Sequence, residues 1–118
     1  MSATKAARSH ITTHVLDTGT GRPASGVKAT LEATTASGWQ EVGSGVTDAD
    51  GRIETLGPSK VEAGRHRITF GTGDYFGKTG TETFFPAVSI EFVVSDTAAH
   101  YHVPLLISPF AYSTYRGS

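Results

Sequence analysis

The sequence predicts an all-β domain built as an antiparallel β-sandwich. Short segments that alternate apolar and polar residues recur along the 118-residue chain, and turns rich in glycine and proline separate them. About seven or eight strands at this spacing are typical of a sandwich. The length is that of one domain with its own core. We expect residues 9–118 to form this domain, after a flexible tail at residues 1–8.

The alternation predicts a strand for each element in turn. The predicted strands are residues 10–17, 27–34, 39–47, 52–56, 65–70, 88–94 and a last strand from His100 onward. In the sixth of these, alternate apolar residues from Val88 to Val94 are expected to form a buried face. The aromatic, well-patterned terminus after His100 is expected to be held within the structure, because loosely placed chain ends are usually polar.

The segments between the strands carry turn signals. Asp48–Gly51 is the clearest, since Asp-Gly favours the positive φ of a tight hairpin. It lacks the further oxygen ligands and the distal Glu of a calcium loop. Residues 18–23 and 71–80 are expected to be loops, and Pro58–Gly64 is the one plausible helical turn, ended by Gly64.

Composition excludes several classes of function. The net charge of −1 argues against a nucleic-acid partner and against a polybasic membrane surface. The absence of cysteine excludes disulfides and thiol catalysis. The first nine residues lack the apolar core of a secretory signal and no window is long enough to span a membrane, so we expect a cytoplasmic location. Only 18 % of residues are charged, below the usual ~25 %, which suggests a surface partly covered by other subunits.

Strand parity selects three polar residues as site candidates. His14, Arg52 and His102 alternate with apolar neighbours, so each is expected to point away from the core. Parity does not show that they meet in space. His10 and His66 are expected to be solvated side chains.

The chemistry open to such a set is narrow. His100 and His102 could form a metal pair with His14 as a third ligand, but no spacing places a third ligand, so we expect no metal and no cofactor. Gly-x-Ser-x-Gly does not occur, which argues against a serine nucleophile. Hydrolysis here would use water activated by a neutral histidine, without a covalent intermediate.

Three segments resemble the transthyretin-related 5-hydroxyisourate hydrolases: Thr13–Ala24, Thr47–Arg52 and His100–Ser118, which ends in Tyr-Arg-Gly-Ser. Gly73–Phe76 and Phe84–Pro86 fit as well. The resemblance covers nearly everything from Ser9 onward. Ala111, where the family more often has Gly, and Ile107, in place of a usual Leu, are mild departures.

The resemblance implies a sandwich of two four-stranded sheets with one short helix, assembled as a homotetramer with active sites at subunit interfaces. It implies hydrolysis of 5-hydroxyisourate, the product of urate oxidation, to 2-oxo-4-hydroxy-4-carboxy-5-ureidoimidazoline. The implied catalytic residues are His14, Arg52, His102 and Ser118, and the implied substrate-binding residues are His14, Arg52 and Tyr115. Either His102 or His14 could be the general base.

A carrier of the same fold is the alternative. Transthyretin resembles this family and binds a planar hormone in the equivalent channel, so the chain could bind planar ligands without catalysis. His14, Arg52, His102 and the Tyr-Arg-Gly-Ser ending argue for the hydrolase, because they would place polar groups in an otherwise apolar channel. A structural module of a larger adhesive assembly is a third possibility, disfavoured by the single domain and the absent signal.

Overall fold

Two β-sheets and one short helix make up residues 8–118, the part of the chain that the computed structural model describes. The elements in order are β1 (Ile11–Asp17), β2 (Arg22–Pro23), β3 (Lys28–Thr35), β4 (Gly38–Val46), β5 (Arg52–Ile53), β6 (Gly64–Phe70), α1 (Thr72–Gly77), β7 (Val88–Val94), β8 (Tyr101–Ser108) and β9 (Ala111–Thr114). The predicted all-β sandwich with one short helix is confirmed. The expected tail at residues 1–8 lies, except for Arg8, outside the described residues.

The two sheets differ slightly from the expected four plus four. One sheet has the order β4-β3-β6-β7. The other has the order β2-β1-β8-β9, with β5 also paired to β1. It has five strands because β2 and β5 are separate two-residue pieces, β2 paired with the end of β1 and β5 with its middle. Every strand pair described is antiparallel except β1 with β8, which run parallel over seven residue pairs.

The core lies between the sheets and follows the predicted alternation. Its fully buried members come from alternate positions of strands in both sheets: Ile11, Val15, Leu105, Ala29, Leu31, Ile68 and Phe70. Burial of each large apolar side chain stabilises the fold by roughly 1.5–3 kcal/mol. Along β7, Val88 and Val94 are buried but Ile90 and Phe92 are only partly so, which makes that face less buried than expected.

The helix prediction was wrong in position. Residues 58–63 are irregular, because buried His10 accepts the Val61 N–H at 3.0 Å and the Pro58 carbonyl accepts the His10 N–H at 2.9 Å. These bonds replace those that a helical turn would make. The helix forms instead at Thr72–Gly77, within the predicted loop, where Thr72 and Phe76 are buried one turn apart.

Two further segments also differ from prediction. The strand expected at residues 52–56 is only Arg52–Ile53. The terminal stretch is a hairpin of β8 and β9, in which Leu105 faces Thr114.

In the described part of the chain, no helix is long and apolar enough to cross a membrane.

The buried carboxylate of Asp17, at the end of β1, joins that strand to α1. Asp17, which is 4 % exposed, accepts the Tyr75 hydroxyl at 2.8 Å through one oxygen. Its other oxygen accepts the backbone N–H groups of Gly19 at 2.9 Å and Thr20 at 3.3 Å. Burial, followed by the bond to Asp17, raises the pKa of Tyr75 to about 12. The neutral phenol is therefore the form that the fold stabilises.

We predict that Tyr75→Phe lowers the free energy of unfolding by about 1–2 kcal/mol at pH 7, because the buried carboxylate loses a hydrogen bond. In wild type this contribution is complete below about pH 10, the phenol's unfolded pKa, and is lost as the pH rises towards 12. Urea denaturation of both proteins across this window should show the difference shrinking. Tyr112→Phe is the control, since that exposed hydroxyl bonds to no described residue. Equal stability of wild type and Tyr75→Phe at pH 7 would contradict this.

Candidate active site

The sheet that contains β1, β5 and β8 brings three of the predicted site residues to one face. His14 on β1 lies opposite Arg52 on β5, and Thr12, two residues earlier on β1, lies opposite His102 on β8. Because alternate residues of a strand share a face, Thr12 and His14 point the same way. His14 and His102 are half-buried and Arg52 is exposed. All three therefore lie on the outer face of the sheet, as parity predicted.

Arg52, His102 and Ser118 share a depression of about 230 Å³ on this face. Its full lining is Arg8, Thr12, Thr13, Arg52, Glu54, His102 and Ser118. His14 is the register partner of Arg52 but is not part of the lining.

Tyr115 is not brought to this depression within one chain. It lines a second depression of about 250 Å³, whose other members include Ile90, Phe92 and Val103. His102 contributes to both depressions and stands between them. Tyr115 is 60 % exposed.

The turn before β5 holds the backbone of Arg52. The Asp48 side chain accepts the N–H groups of Asp50 at 2.9 Å and of Arg52 at 3.0 Å. The bond from Arg52 is the main reason that the pKa of Asp48 lies below its ordinary value. Gly51 has φ +76° and a Cβ there would lie 2.3 Å from the Val15 carbonyl oxygen, so only glycine fits. The predicted turn forms, but it does not join a hairpin, because β4 pairs with β3 in one sheet and β5 pairs with β1 in the other. The turn instead fixes Arg52 beside β1.

The C-terminus is attached to the backbone of His102. The Gly117 N–H donates to the His102 carbonyl at 2.8 Å, which forms a single β-bridge. A Cβ on Gly117 would lie 2.6 Å from Cδ2 of the His102 ring, so the last residues pass directly over that ring.

Arg116 provides a second attachment. Its guanidinium carbon lies 4.4 Å from the centre of the Tyr101 ring, a cation–π contact. Tyr101 is buried, and its hydroxyl accepts the N–H groups of Ser95 at 3.1 Å and Asp96 at 2.9 Å. The expectation that the terminus is held in the structure is confirmed, and Ser118 reaches the depression as a result.

The side chain of His102 is held through a hydroxyl group that the sequence analysis missed. Thr12 Oγ1 lies 2.8 Å from His102 Nδ1 and 2.9 Å from His100 Nε2. Thr12 shares the outward parity of His14, and that signal could have identified it. Arg8 and Glu54 in the lining were also missed, and no sequence pattern singles them out.

Both of these histidines favour the neutral form. Burial lowers the pKa of His102, and the positive charge of Arg52 lowers it further. Burial also lowers the pKa of His100, with Arg8 as the next cause. A neutral imidazole beside a guanidinium can accept a proton from water while the guanidinium stabilises negative charge on an oxygen.

The solvated state expected for His10 and His66 was wrong. His10 is 6 % exposed and lies between the Val61 N–H and the Ala99 carbonyl, whose oxygen is 2.6 Å from Nε2. His66 is 2 % exposed and stacks on Phe92. Both are structural residues. Within residues 8–118, no group of three or more His, Cys, Asp or Glu side chains is arranged to hold a metal.

Known proteins of the same fold share much of this sequence. Residues 11–117 match the HIUase/Transthyretin family, where HIUase denotes 5-hydroxyisourate hydrolase. A 5-hydroxyisourate hydrolase of Salmonella typhimurium is 50 % identical over 109 residues, which cover 92 % of this chain and 80 % of the relative. The solved 5-hydroxyisourate hydrolase of Klebsiella pneumoniae superposes with a TM-score of 0.82 at 41 % identity and covers 92 % of this chain and 98 % of its own.

A transthyretin structure superposes equally well. Sea bream transthyretin, solved in complex with thyroxine, has a TM-score of 0.85 at 33 % identity and covers 91 % of this chain and 93 % of its own. The fold alone thus fits a hydrolase and a thyroxine-binding protein. The match across residues 11–117 confirms the resemblance seen in the sequence, and the chain belongs to the HIUase/Transthyretin family.

Proposed function

We propose that this protein is a 5-hydroxyisourate hydrolase that opens the substrate ring to 2-oxo-4-hydroxy-4-carboxy-5-ureidoimidazoline. The observation that carries the proposal is the depression in which Arg52, half-buried His102 and terminal Ser118 meet. The relatives from Salmonella and Klebsiella, which carry this activity in their names, support the choice of substrate.

In the proposed mechanism, Nε2 of neutral His102 takes a proton from a water molecule, and the oxygen of that water attacks a ring carbonyl. Arg52 donates hydrogen bonds to the oxygen on which negative charge develops. The ring C–N bond then breaks, and the proton held by His102 passes to the leaving nitrogen. Every proton is accounted for without a covalent intermediate. Ser118 helps to position the substrate at the edge of the depression.

His14 and Tyr115 complete the proposed site in different ways. His14 faces Arg52 across β1 and β5, so we assign it to substrate binding, with a role as base open to test. Tyr115 lies on the far side of His102 within one chain. For Tyr115 to contact substrate, a second subunit must contribute to the site. This supports active sites shared between subunits.

Exposed apolar side chains support the proposed homotetramer. Phe84 is 71 % exposed, Val93 63 % and Phe110 62 %. β7 and β9 are edge strands of their sheets and carry the exposed Val93 and Tyr112. Exposed apolar patches beside free strand edges mark interaction surfaces, since both are stabilised by pairing with another chain.

The carrier alternative is less well supported. A channel for a planar apolar ligand would gain nothing from a guanidinium at its wall, because burying that group without polar partners is costly. The second depression, with Ile90, Phe92 and Val103, is the apolar surface that such a ligand would use.

We predict that the purified chain accelerates the decay of 5-hydroxyisourate formed from urate in the cuvette, followed by absorbance. His102→Asn and Arg52→Gln should each lower kcat/KM by about 100-fold or more, the scale of a lost base or charge-stabilising group. Arg65→Gln is the matched control, since Arg65 is exposed and its distance to Glu91 is a loose 3.9 Å. Decay no faster than the spontaneous rate with wild-type protein would refute the function.

We predict that Gly117→Ala lowers kcat/KM about tenfold or more, because the new methyl group displaces either the terminus or the His102 ring and small misplacements are costly. Deletion of Arg116–Ser118 should abolish activity. Gly77→Ala is the control, since a Cβ there meets nothing within 4 Å. A folded truncation with full activity would show that the terminus is only structural.

We predict a tetramer in sedimentation equilibrium at micromolar concentration. Val93→Lys should shift the mass towards smaller species, because it places a charge in the proposed interface. Lys28→Ala, an exposed substitution on β3, should leave the mass unchanged. A monomer with full hydrolase activity would contradict the shared sites.

A further inference from the structure

We propose that Thr12 and His100 are positioning residues that hold His102 in the tautomer with Nδ1 protonated and Nε2 free to act as a base. The inference rests on the proposed function and adds to it a hydrogen-bond relay from His102 through Thr12 to His100. Neither Thr12 nor His100 needs to contact the substrate for this role.

The geometry allows only two arrangements of hydrogen bonds in the relay. Thr12 Oγ1 lies 2.8 Å from Nδ1 of His102 and 2.9 Å from Nε2 of His100. A hydroxyl has a single hydrogen, so it can donate to only one of two neutral rings and must accept from the other. Only two arrangements satisfy both contacts. In one, His102 donates to Thr12 and Thr12 donates to His100; in the other, both bonds are reversed.

Burial and register hold the relay together. Thr12 is 3 % exposed, and its hydroxyl has no other partner within the described chain. Leaving a buried hydroxyl unpaired costs about 1–3 kcal/mol. The parallel pairing of β1 with β8 sets Thr12 directly opposite His102. His100 is two residues before His102, so its side chain lies on the same side.

The charges around His102 decide between the two arrangements. Four basic residues lie near His102: Arg52 on β5, His14 on β1, Arg8 before β1 and His100 before β8. Glu54 is the acidic side chain in the lining. After burial, the guanidinium of Arg52 is the largest cause that lowers the pKa of His102. A cationic environment favours a lone pair over an N–H at Nε2.

The favoured arrangement therefore puts the His102 proton on Nδ1, where it donates to Thr12. His100 accepts from Thr12 at Nε2, which requires its own proton on Nδ1 and a neutral ring. Burial and Arg8 lower the pKa of His100, in agreement with that neutral ring. Which ring nitrogen carries the proton is in general set by the bond that the other nitrogen makes. In serine proteases, a wrong tautomer of the catalytic histidine costs about 10⁴-fold in kcat.

The kinetic test compares Thr12→Val, which removes the hydroxyl at nearly constant shape, with Thr12→Ser, which keeps it. Thr12→Val should lower kcat about 10- to 100-fold with KM changed less than about threefold, because substrate contacts remain while the base is lost. Thr12→Ser should retain most of the wild-type kcat. Thr69→Val, which removes a hydroxyl bonded to Ser89 in the other sheet, is the matched control and should behave as wild type. A wild-type kcat in Thr12→Val, or an equal loss in both Thr12 variants, would overturn the relay.

A second readout does not depend on activity. Histidine ¹⁵N chemical shifts distinguish the two tautomers, and His102 should be protonated at Nδ1 in wild type and shift towards Nε2–H in Thr12→Val. A wild-type signal from Nε2–H would overturn the proposal.

If wild type does not hydrolyse 5-hydroxyisourate, the proposed function fails while the NMR result still decides the tautomer. If Thr12→Val does not fold, His100→Leu replaces it: this variant should lower kcat, whereas His100→Gln, which keeps an acceptor, should retain more activity, and equal activity in the two would count against the relay.

Discussion

The parallel pairing of β1 with β8 is the constraint on which the rest of the structure depends. It joins the beginning of the domain to its end, from Ile11 opposite Tyr101 to Asp17 opposite Ile107. Its inner face supplies much of the buried core, and its outer face sets Thr12 opposite His102. A shift of one residue would turn His102 into the core and bring apolar residues outward. Core packing therefore fixes the geometry of the proposed site.

Most of the fold could be predicted from alternation, and the exceptions have local causes. The strands β1, β3, β6, β7 and β8 follow residues whose parity the core demands. The helix was misplaced because glycines at 71, 73 and 77 suggested a loop, while buried contacts of Thr72 and Phe76 stabilise a helix there. At Pro58–Gly64 the buried imidazole of His10 competes for the backbone N–H of Val61. Such tertiary competition leaves no periodic signal in the sequence.

The outward positions of His14, Arg52 and His102 were likewise predictable from parity, but their partners were not. Thr12 carries no catalytic pattern, and only the β1–β8 register reveals that its hydroxyl bridges His100 and His102. The inclusion of Tyr115 came from family resemblance alone, and within one chain it faces a different depression from Arg52. The site is therefore built from long-range pairing, a turn that fixes Arg52, and a terminus attached over His102.

A crystal structure of the assembled protein with urate bound would test the proposed site, because urate has the same fused ring skeleton as the proposed substrate. We expect a ring oxygen of urate to lie within hydrogen-bond distance of Arg52 and Nε2 of His102 to face the ring system. We also expect Tyr115 to reach the ligand from a neighbouring subunit. Urate bound in the apolar depression of Ile90 and Phe92, with Arg52 and His102 making no contact, would contradict it and favour a carrier.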